Sequence, residues 1–332
     1  MKAAMIQKYG ASDVFAVQEA EKPKPGPKDV LIKIHASSVN PIDWKIRQGT
    51  QRGVIHPSFP AILGMDLSGV VEAVGEQVTR FQPGDEVYSS PTHRRQGTYA
   101  EYTLVEESAC ARKPKNLTHQ EAASIPLVGL TAWEALVVKG KLQKGQKVLI
   151  QAGAGGVGSI AIQMAKHMGA FVIATCSTRN VELLKELGAD QVVDYTKERF
   201  DEVLKDVDLV VDCLAGDYPK RSLKIIKRGG HLTMLSSDMP KYSKTFGPYL
   251  GVLATGMYIL ACTIRGKLRG VSTSMVVRQT SGALLDKITE LIEKEAVRPL
   301  IDKVYSLDEI HQAHAYSETG RARGKIVIEV AT

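Results

Sequence analysis

The sequence is poor in cysteine and aromatic residues, and no run of five or six like charges occurs in it. Its 332 residues include four cysteines, Cys110, Cys176, Cys213 and Cys262, widely spaced and without a CxxC pair. That argues against a disulfide framework or a cysteine-built zinc site, and fits a reducing, cytoplasmic setting. Aromatic residues make up 6% of the chain, and no stretch interleaves them with basic residues, so no nucleic-acid partner is expected. The net charge of +7 is scattered and reads as a solvated surface. The N-terminal "MKAAMIQKYG" lacks an apolar signal core and reads as a strand.

One uncharged stretch calls for a membrane check. "TFGPYLGVLATGMYILACTI", between Lys244 and Arg265, has the length of a membrane-crossing helix. Gly247, Pro248, Gly251 and Gly256 interrupt it and it is read without a second span beside it, so no integral span is expected. It is read instead as a buried loop and helix, the best candidate for an apolar pocket wall.

The length favours two domains. Residues 1 to about 123 read as strands and turns. "DVLIKIHAS" and "SGVVEAVG" are β-rich, whereas "KPKPGPKD" and "FQPGDEV" are turns. From Lys147 strands and helices alternate: "KVLIQAG", "GVGSIAIQMAKHMG", "AFVIATCS", "NVELLKELG", "QVVDY". That alternation predicts an α/β domain with a parallel sheet.

"VLIQAGAGGVGSIAIQ" places Gly153-x-Gly155-x-x-Gly158 after a strand and at the start of a helix. In that context the motif predicts a dinucleotide site. Gly153 allows the turn, Gly155 lets backbone approach a pyrophosphate, and Gly158 lets helix and strand pack. The helix N-terminus, with Gly156 and Val157, offers free N–H groups. An NAD site usually carries Asp or Glu at the end of the next strand. Here that strand ends in "ATCSTRN", with no acid from Phe171 to Val181. Ser177, Thr178, Arg179 and Tyr195 offer hydroxyls and a guanidinium, so the cofactor is expected to be NADP(H). The alternative for Arg179 is an ordinary surface charge.

The whole chain resembles the medium-chain dehydrogenase/reductase superfamily, in its zinc-independent quinone oxidoreductase branch. The resemblance rests on "NPIDWK", "PAILGMDLSGVVEAVG", "PGDEVY", "PLVGLTAW", "AGAGGVG", "LGAD", "VDCLAG" and "GRARGKIVIEV", which follow in order along nearly the full length. Within the branch it is most similar to alkenal/enone oxidoreductases of the chloroplast. The "ARGK" tail and "RPLID" are also similar to mitochondrial reticulon-interacting oxidoreductases.

The resemblance implies a GroES-like β-barrel catalytic domain, residues 1–123 and 268–332, with a Rossmann NADP(H)-binding domain, 124–267, inserted. It implies a homodimer and a site in the cleft between domains. Zinc-dependent members carry a Cys where this chain has Asn40, and Gly-His-Glu where it has Gly64-Met65-Asp66; "SSPTHRRQGTYAEY" lacks the structural-zinc cysteines. No metal is therefore expected. Without a Lewis acid, carbonyl reduction is difficult. Hydride addition to an α,β-unsaturated carbonyl, or to a quinone, is the easier chemistry, with a small hydrophobic electrophile as substrate.

By the resemblance, Asn40, Asp43 and Lys45 line the nicotinamide end as catalytic candidates, with Lys45 where zinc relatives often carry a proton-relay histidine. Thr131, Leu214, Ala215, Leu235, Ser236, Gly324 and Lys325 contact the cofactor. Each has a plainer reading: Asp43 fixes a turn, Thr131 caps a helix, and Lys325 is a surface charge. Trp44, Phe59, Tyr88, Tyr249 and Tyr258 are candidates for a substrate wall. His311 and His314 are expected on a helix face near solvent.

Overall fold

The computed structural model describes residues 1–330 apart from 94 and 96. The chain divides into two compact units. One contains Met1–Leu130, Gln279–Glu295 and Pro299–Thr332; the other contains Thr131–Arg278 and Ala296–Arg298.

The first unit is built on strands β1 (Lys2–Ile6), β2 (Phe15–Glu19), β3 (Asp29–Val39), β4 (Ala61–Ile62), β5 (Leu67–Val74), β6 (Glu86–Ser89), β7 (Tyr102–Glu106) and β8 (Cys110–Arg112). The inserted unit contributes β9 (Lys147–Ile150), β10 (Phe171–Cys176), β11 (Gln191–Asp194), β12 (Val207–Asp212), β13 (Ile226–Met234) and β14 (Ser272–Met275). The chain then returns to the first unit with β15 (Ile301–Ser306) and β16 (Lys325–Glu329).

In the first unit, β3 is the central strand. It pairs antiparallel with β5, β7 and β16, and its "DVLIKIHASSV" is long enough to do so along its length. Val30, Ile32, Ile34, Leu67, Val71, Val87 and Val105 close one core beneath it. A second core forms around Ile6, Ile46, Leu63, Met65, Tyr99 and Ile326. The "NPIDWK" stretch, read as a turn, is a helix, Pro41–Arg47. Proline at the first helical position lacks only an N–H that would be unsatisfied anyway, and Asp43 accepts from the Asn40 N–H at 2.8 Å.

In the second unit, the parallel sheet has the order β11-β10-β9-β12-β13-β14. This is the doubly wound arrangement, with its direction of winding reversing between β9 and β12. Apolar residues dominate β9 and β10, and every residue of β12 is buried, as a sheet covered on both faces requires. The expected boundaries at 123 and 268 move to 130 and 278. The second shift has a clear cause: Ser272–Met275 pairs in parallel register with β13, so it extends this sheet. The hydroxyl-rich "STSM" carries little strand signal.

The uncharged stretch differs most from expectation. Pro248–Leu268 is one continuous helix of 21 residues, and its outer side is exposed rather than a buried wall. Among the described residues it alone is long and apolar enough to cross a membrane. Pro248 starts the helix, so it does not break it. Gly251 is where the preceding helix, Met239–Phe246, packs: a Cβ there would lie 2.6 Å from Ser243 Oγ.

Candidate functional site

Two sets of residues emerge, one in each unit. The first lies at the C-terminal edge of the parallel sheet. Ala152, with φ of 52°, turns the chain out of β9, and the helix Gly156–His167 begins behind Gly155. A Cβ on Gly158 would stand 2.3 Å from Ala152 O, so this glycine is required by helix–strand packing. A Cβ on Gly155 would meet only Ala152 O, at 3.3 Å. The protein's own packing therefore hardly needs Gly155 bare; it keeps a cradle open beside the N–H groups of Gly156 and Val157, which suits a pyrophosphate.

The other strand ends converge on this edge. Ser177, Thr178 and Arg179 follow β10, Tyr195 follows β11, Leu214 and Ala215 follow β12, and Leu235 and Ser236 follow β13. Thr131 lies in the same unit, on the helix Pro126–Trp133, and is buried. The Thr178 hydroxyl donates to Asp194 at 2.6 Å. Asp194, at the end of β11, also accepts from the Thr196 hydroxyl and N–H, and these bonds, Thr178's first, hold its carboxyl down at about 2. Ser177, Arg179 and Tyr195 are the other candidates at these strand ends.

Asp212 was not singled out from the sequence. It ends β12 fully buried, and its Oδ1 accepts from the N–H of Leu214 at 2.8 Å and of Ala215 at 3.4 Å. It thereby shapes the turn that carries both. Burial pushes its carboxyl up to about 7, against those two N–H bonds.

The second set is a buried polar cluster in the first unit. Asp66 sits at its centre without solvent exposure. Its Oδ2 accepts from Ser38 Oγ at 2.8 Å, Asn40 Nδ2 at 2.8 Å and the Lys325 ammonium at 3.1 Å. Its Oδ1 accepts from the Leu127 N–H at 2.7 Å. Lys325 also donates to Asn40 Oδ1 at 2.5 Å and Val39 O at 3.4 Å. The surface reading does not describe Lys325: it is 5% exposed and its ammonium is held inside the cluster. Gly324, before it, turns at φ of 78°, and a Cβ there would strike Leu300 O at 2.1 Å, so packing alone explains that glycine.

Asp43 begins a second chain of bonds. Its Oδ2 accepts from the Asn40 N–H and from Tyr99 OH at 2.9 Å, and its Oδ1 is buried without a partner. Burial pushes this carboxyl up to about 7, opposed by those two bonds. Tyr99 OH lies 3.2 Å from His314 Nε2. Burial, with the Asp43 charge, raises the Tyr99 phenol well above its ordinary range. His314 is thus not a solvent-facing helix residue. It is fully buried, edge-on to Phe15 and Tyr99, and burial holds its imidazole well below the usual range. His311, one turn earlier, is exposed as expected.

Of the three catalytic candidates, Asn40 and Asp43 are bound into these networks. Lys45 differs: it is half-buried, its ammonium 5.5 Å from the centre of the Trp44 ring, and burial lowers its pKa. The substrate candidates are divided between the two units. Trp44 and Phe59 belong to one unit, Tyr249 and Tyr258 to the other. Phe59 packs edge-on to Tyr9, Tyr249 is exposed, and Tyr258 donates to Gly216 O at 2.6 Å. Tyr88 is a core residue, bonded to Leu285 O at 2.8 Å.

Asp66, Tyr99, His314 and Asp212 are the site residues that sequence reading missed. Only Asp66 carried a signal, at the end of the Gly64-Met65-Asp66 triplet.

Comparison with known proteins identifies the family. Residues 26–115 match the alcohol dehydrogenase GroES-like domain and residues 187–328 match the zinc-binding dehydrogenase model. Residues 131–217 match the alanine dehydrogenase/PNT C-terminal domain. The chain is 37% identical to mouse mitochondrial NAD(P)H oxidoreductase RTN4IP1, over 99% of this chain and 89% of that protein. It is 39% identical to tomato 2-methylene-furan-3-one reductase, over 99% and 79%. The solved quinone oxidoreductase of Coxiella burnetii superposes with a TM-score of 0.86 at 32% identity, covering 100% and 99%. With its GroES-like unit, its doubly wound dinucleotide unit and relatives of this identity along its full length, the chain belongs to the medium-chain dehydrogenase/reductase superfamily.

Proposed function

We propose that the protein is an NADPH-dependent reductase of the C=C bond of α,β-unsaturated carbonyls that works without zinc. The observation that carries this reading is the Lys325 ammonium, bound to Asn40 and Asp66. Asn40 and Met65 stand where zinc relatives have Cys and His, and a fixed cation already occupies their neighbourhood. An amide, a thioether and an ammonium are not a zinc ligand set.

Gly155 leaves room for a pyrophosphate, and the N–H groups of Gly156 and Val157 bind it. Ser177, Arg179 and Tyr195 hold a ribose 2′-phosphate, with the guanidinium as the main determinant. NADPH supplies the hydride when bound. The substrate accepts it at the β-carbon, its π electrons move to the carbonyl oxygen, and a proton completes the α-carbon. Lys45, an ammonium whose pKa is lowered by burial, stabilises the charged oxygen or hands on that proton. Asn40 and Asp43 position the helix that carries it.

The test is NADPH oxidation by trans-2-alkenals, vinyl ketones and quinones, with product analysis. Saturated carbonyl products, formed equally well after treatment with a zinc chelator, are expected. Turnover of quinones with enones inert would replace this reading by the second one, an NADPH-dependent quinone reductase, which the Coxiella burnetii likeness favours. Loss of activity on chelation would remove the zinc-free element.

A further inference from the structure

The helix Pro248–Leu268 carries Leu250, Leu253, Met257, Leu260, Ile264 and Leu268 at three- and four-residue steps, which aligns them in one stripe. Each is between 51 and 80% exposed. Tyr249 and, on the preceding helix, Phe246 are also exposed near its N-terminal end. At 1.5 Å per residue the helix is about 31 Å long. An apolar surface of that length does not stay in water without a reason.

The opposite side of the helix is held by protein. Gly251, Thr255, Cys262 and Gly266 are buried. A Cβ on Gly266 would lie 2.8 Å from Val271 O, and Thr263 Oγ1 lies 3.0 Å from Thr273 Oγ1. The helix is therefore packed against its own sheet along one side, which rules out crossing a bilayer as a separate span.

Charge identifies the occupant of the free side. From residue 239 to residue 285 the chain contains no Asp or Glu. Exposed cations flank the stripe at both ends: Lys241 and Lys244 before it, Arg265, Lys267 and Arg269 at its close. A second copy of the helix, laid parallel or antiparallel, would bring cations against cations with no acid to compensate. An anionic lipid surface meets both demands, accepting apolar side chains at the acyl boundary and cations among its headgroups. We propose that this helix docks the protein, lying in the interface plane, on membranes rich in anionic phospholipid. The proposal is independent of the reaction assigned above.

The full chain is tested by sedimentation with phosphatidylcholine vesicles and with mixed phosphatidylcholine–phosphatidylglycerol vesicles. Binding to the mixed vesicles alone, weakened by salt, is expected. The doubles Leu253→Asn/Leu260→Asn and Lys267→Glu/Arg269→Glu each lower the bound fraction about tenfold. Both doubles alter exposed side chains, so circular dichroism and thermal unfolding stay as in the parent. Vesicle binding that both variants retain overturns the proposal, as does failure to bind mixed vesicles. A dimer in sedimentation velocity that Leu253→Asn/Leu260→Asn dissolves assigns the stripe to a second copy.

Discussion

The Lys325 ammonium and the Asp66 carboxylate are buried together, 3.1 Å apart, and every oxygen of that carboxylate is hydrogen-bonded. Removing either charge leaves the other stranded in a low-dielectric interior. Lys325→Met is expected to cost about 3–5 kcal/mol of stability. Adding Asp66→Asn recovers part of that loss. Denaturant unfolding of the two variants checks both statements. A Lys325→Met protein of unchanged stability but raised KM for NADPH would mean that Lys325 serves the cofactor instead.

Asp43 gives a pH signature. Its folded pKa, about 7, lies above the ordinary carboxylate value of 3.8. Between those values the folded state binds more protons than the unfolded state, so this group's contribution to stability falls as pH rises from 4 to 7. Asp43→Asn removes that slope. Relative to the parent, the variant gains on the order of 4 kcal/mol between pH 4 and pH 8. His314 has the opposite sign: held neutral when folded, it destabilises the fold as pH drops below the usual imidazole range. Thermal unfolding across this range separates the two, because only the carboxyl slope disappears in Asp43→Asn.

Lys45→Ala is expected to lower kcat/KM by at least about tenfold with little change in melting temperature, since a general acid or charge-stabilising group contributes on that scale or above. Steady-state kinetics beside a thermal melt decide the matter. Unchanged kinetics would return Lys45 to the ordinary surface charges.

The glycine cradle makes two adjacent substitutions diverge. Gly155→Val should leave the fold stable and weaken dinucleotide binding, because only Ala152 O stands near the added carbon. Gly158→Ala should destabilise the unit itself, with its Cβ 2.3 Å from Ala152 O. Fluorescence titration with NADPH and thermal melts of both variants test this. Arg179→Ala belongs with the same series: a loss of about tenfold or more in NADPH affinity, with NADH affinity retained, is expected of a 2′-phosphate contact.

Much of the dinucleotide unit was readable because its signals are local. Gly153, Gly155 and Gly158 fall within six residues, and apolar residues dominate the strands around them. The polar cluster was not readable in the same way. Its members come from positions 38, 40, 66, 127 and 325, and only folding brings them together. Lys325 at the end of a basic "GRARGK" tail has the composition of a surface segment, and its burial follows from β16 pairing with β3. His314 was misjudged for a related reason. A three-residue spacing shows that two residues share a helix side, but not which side faces the core. The uncharged helix failed in the reverse direction: apolar composition suggested burial, and its glycines suggested breaks. Gly251 instead marks a close helix contact, and the apolar side faces out.

Lys325 and Asn40 are 285 residues apart in the chain. Strands β9 to β14 pair only with one another, all before Lys325. During synthesis the dinucleotide unit can therefore be complete while the first unit still lacks β16 and the cation that balances Asp66. Until that strand arrives, β3 presents an open edge and a carboxylate with no counter-charge. A chain released before β16 is made would carry that open edge, which favours aggregation.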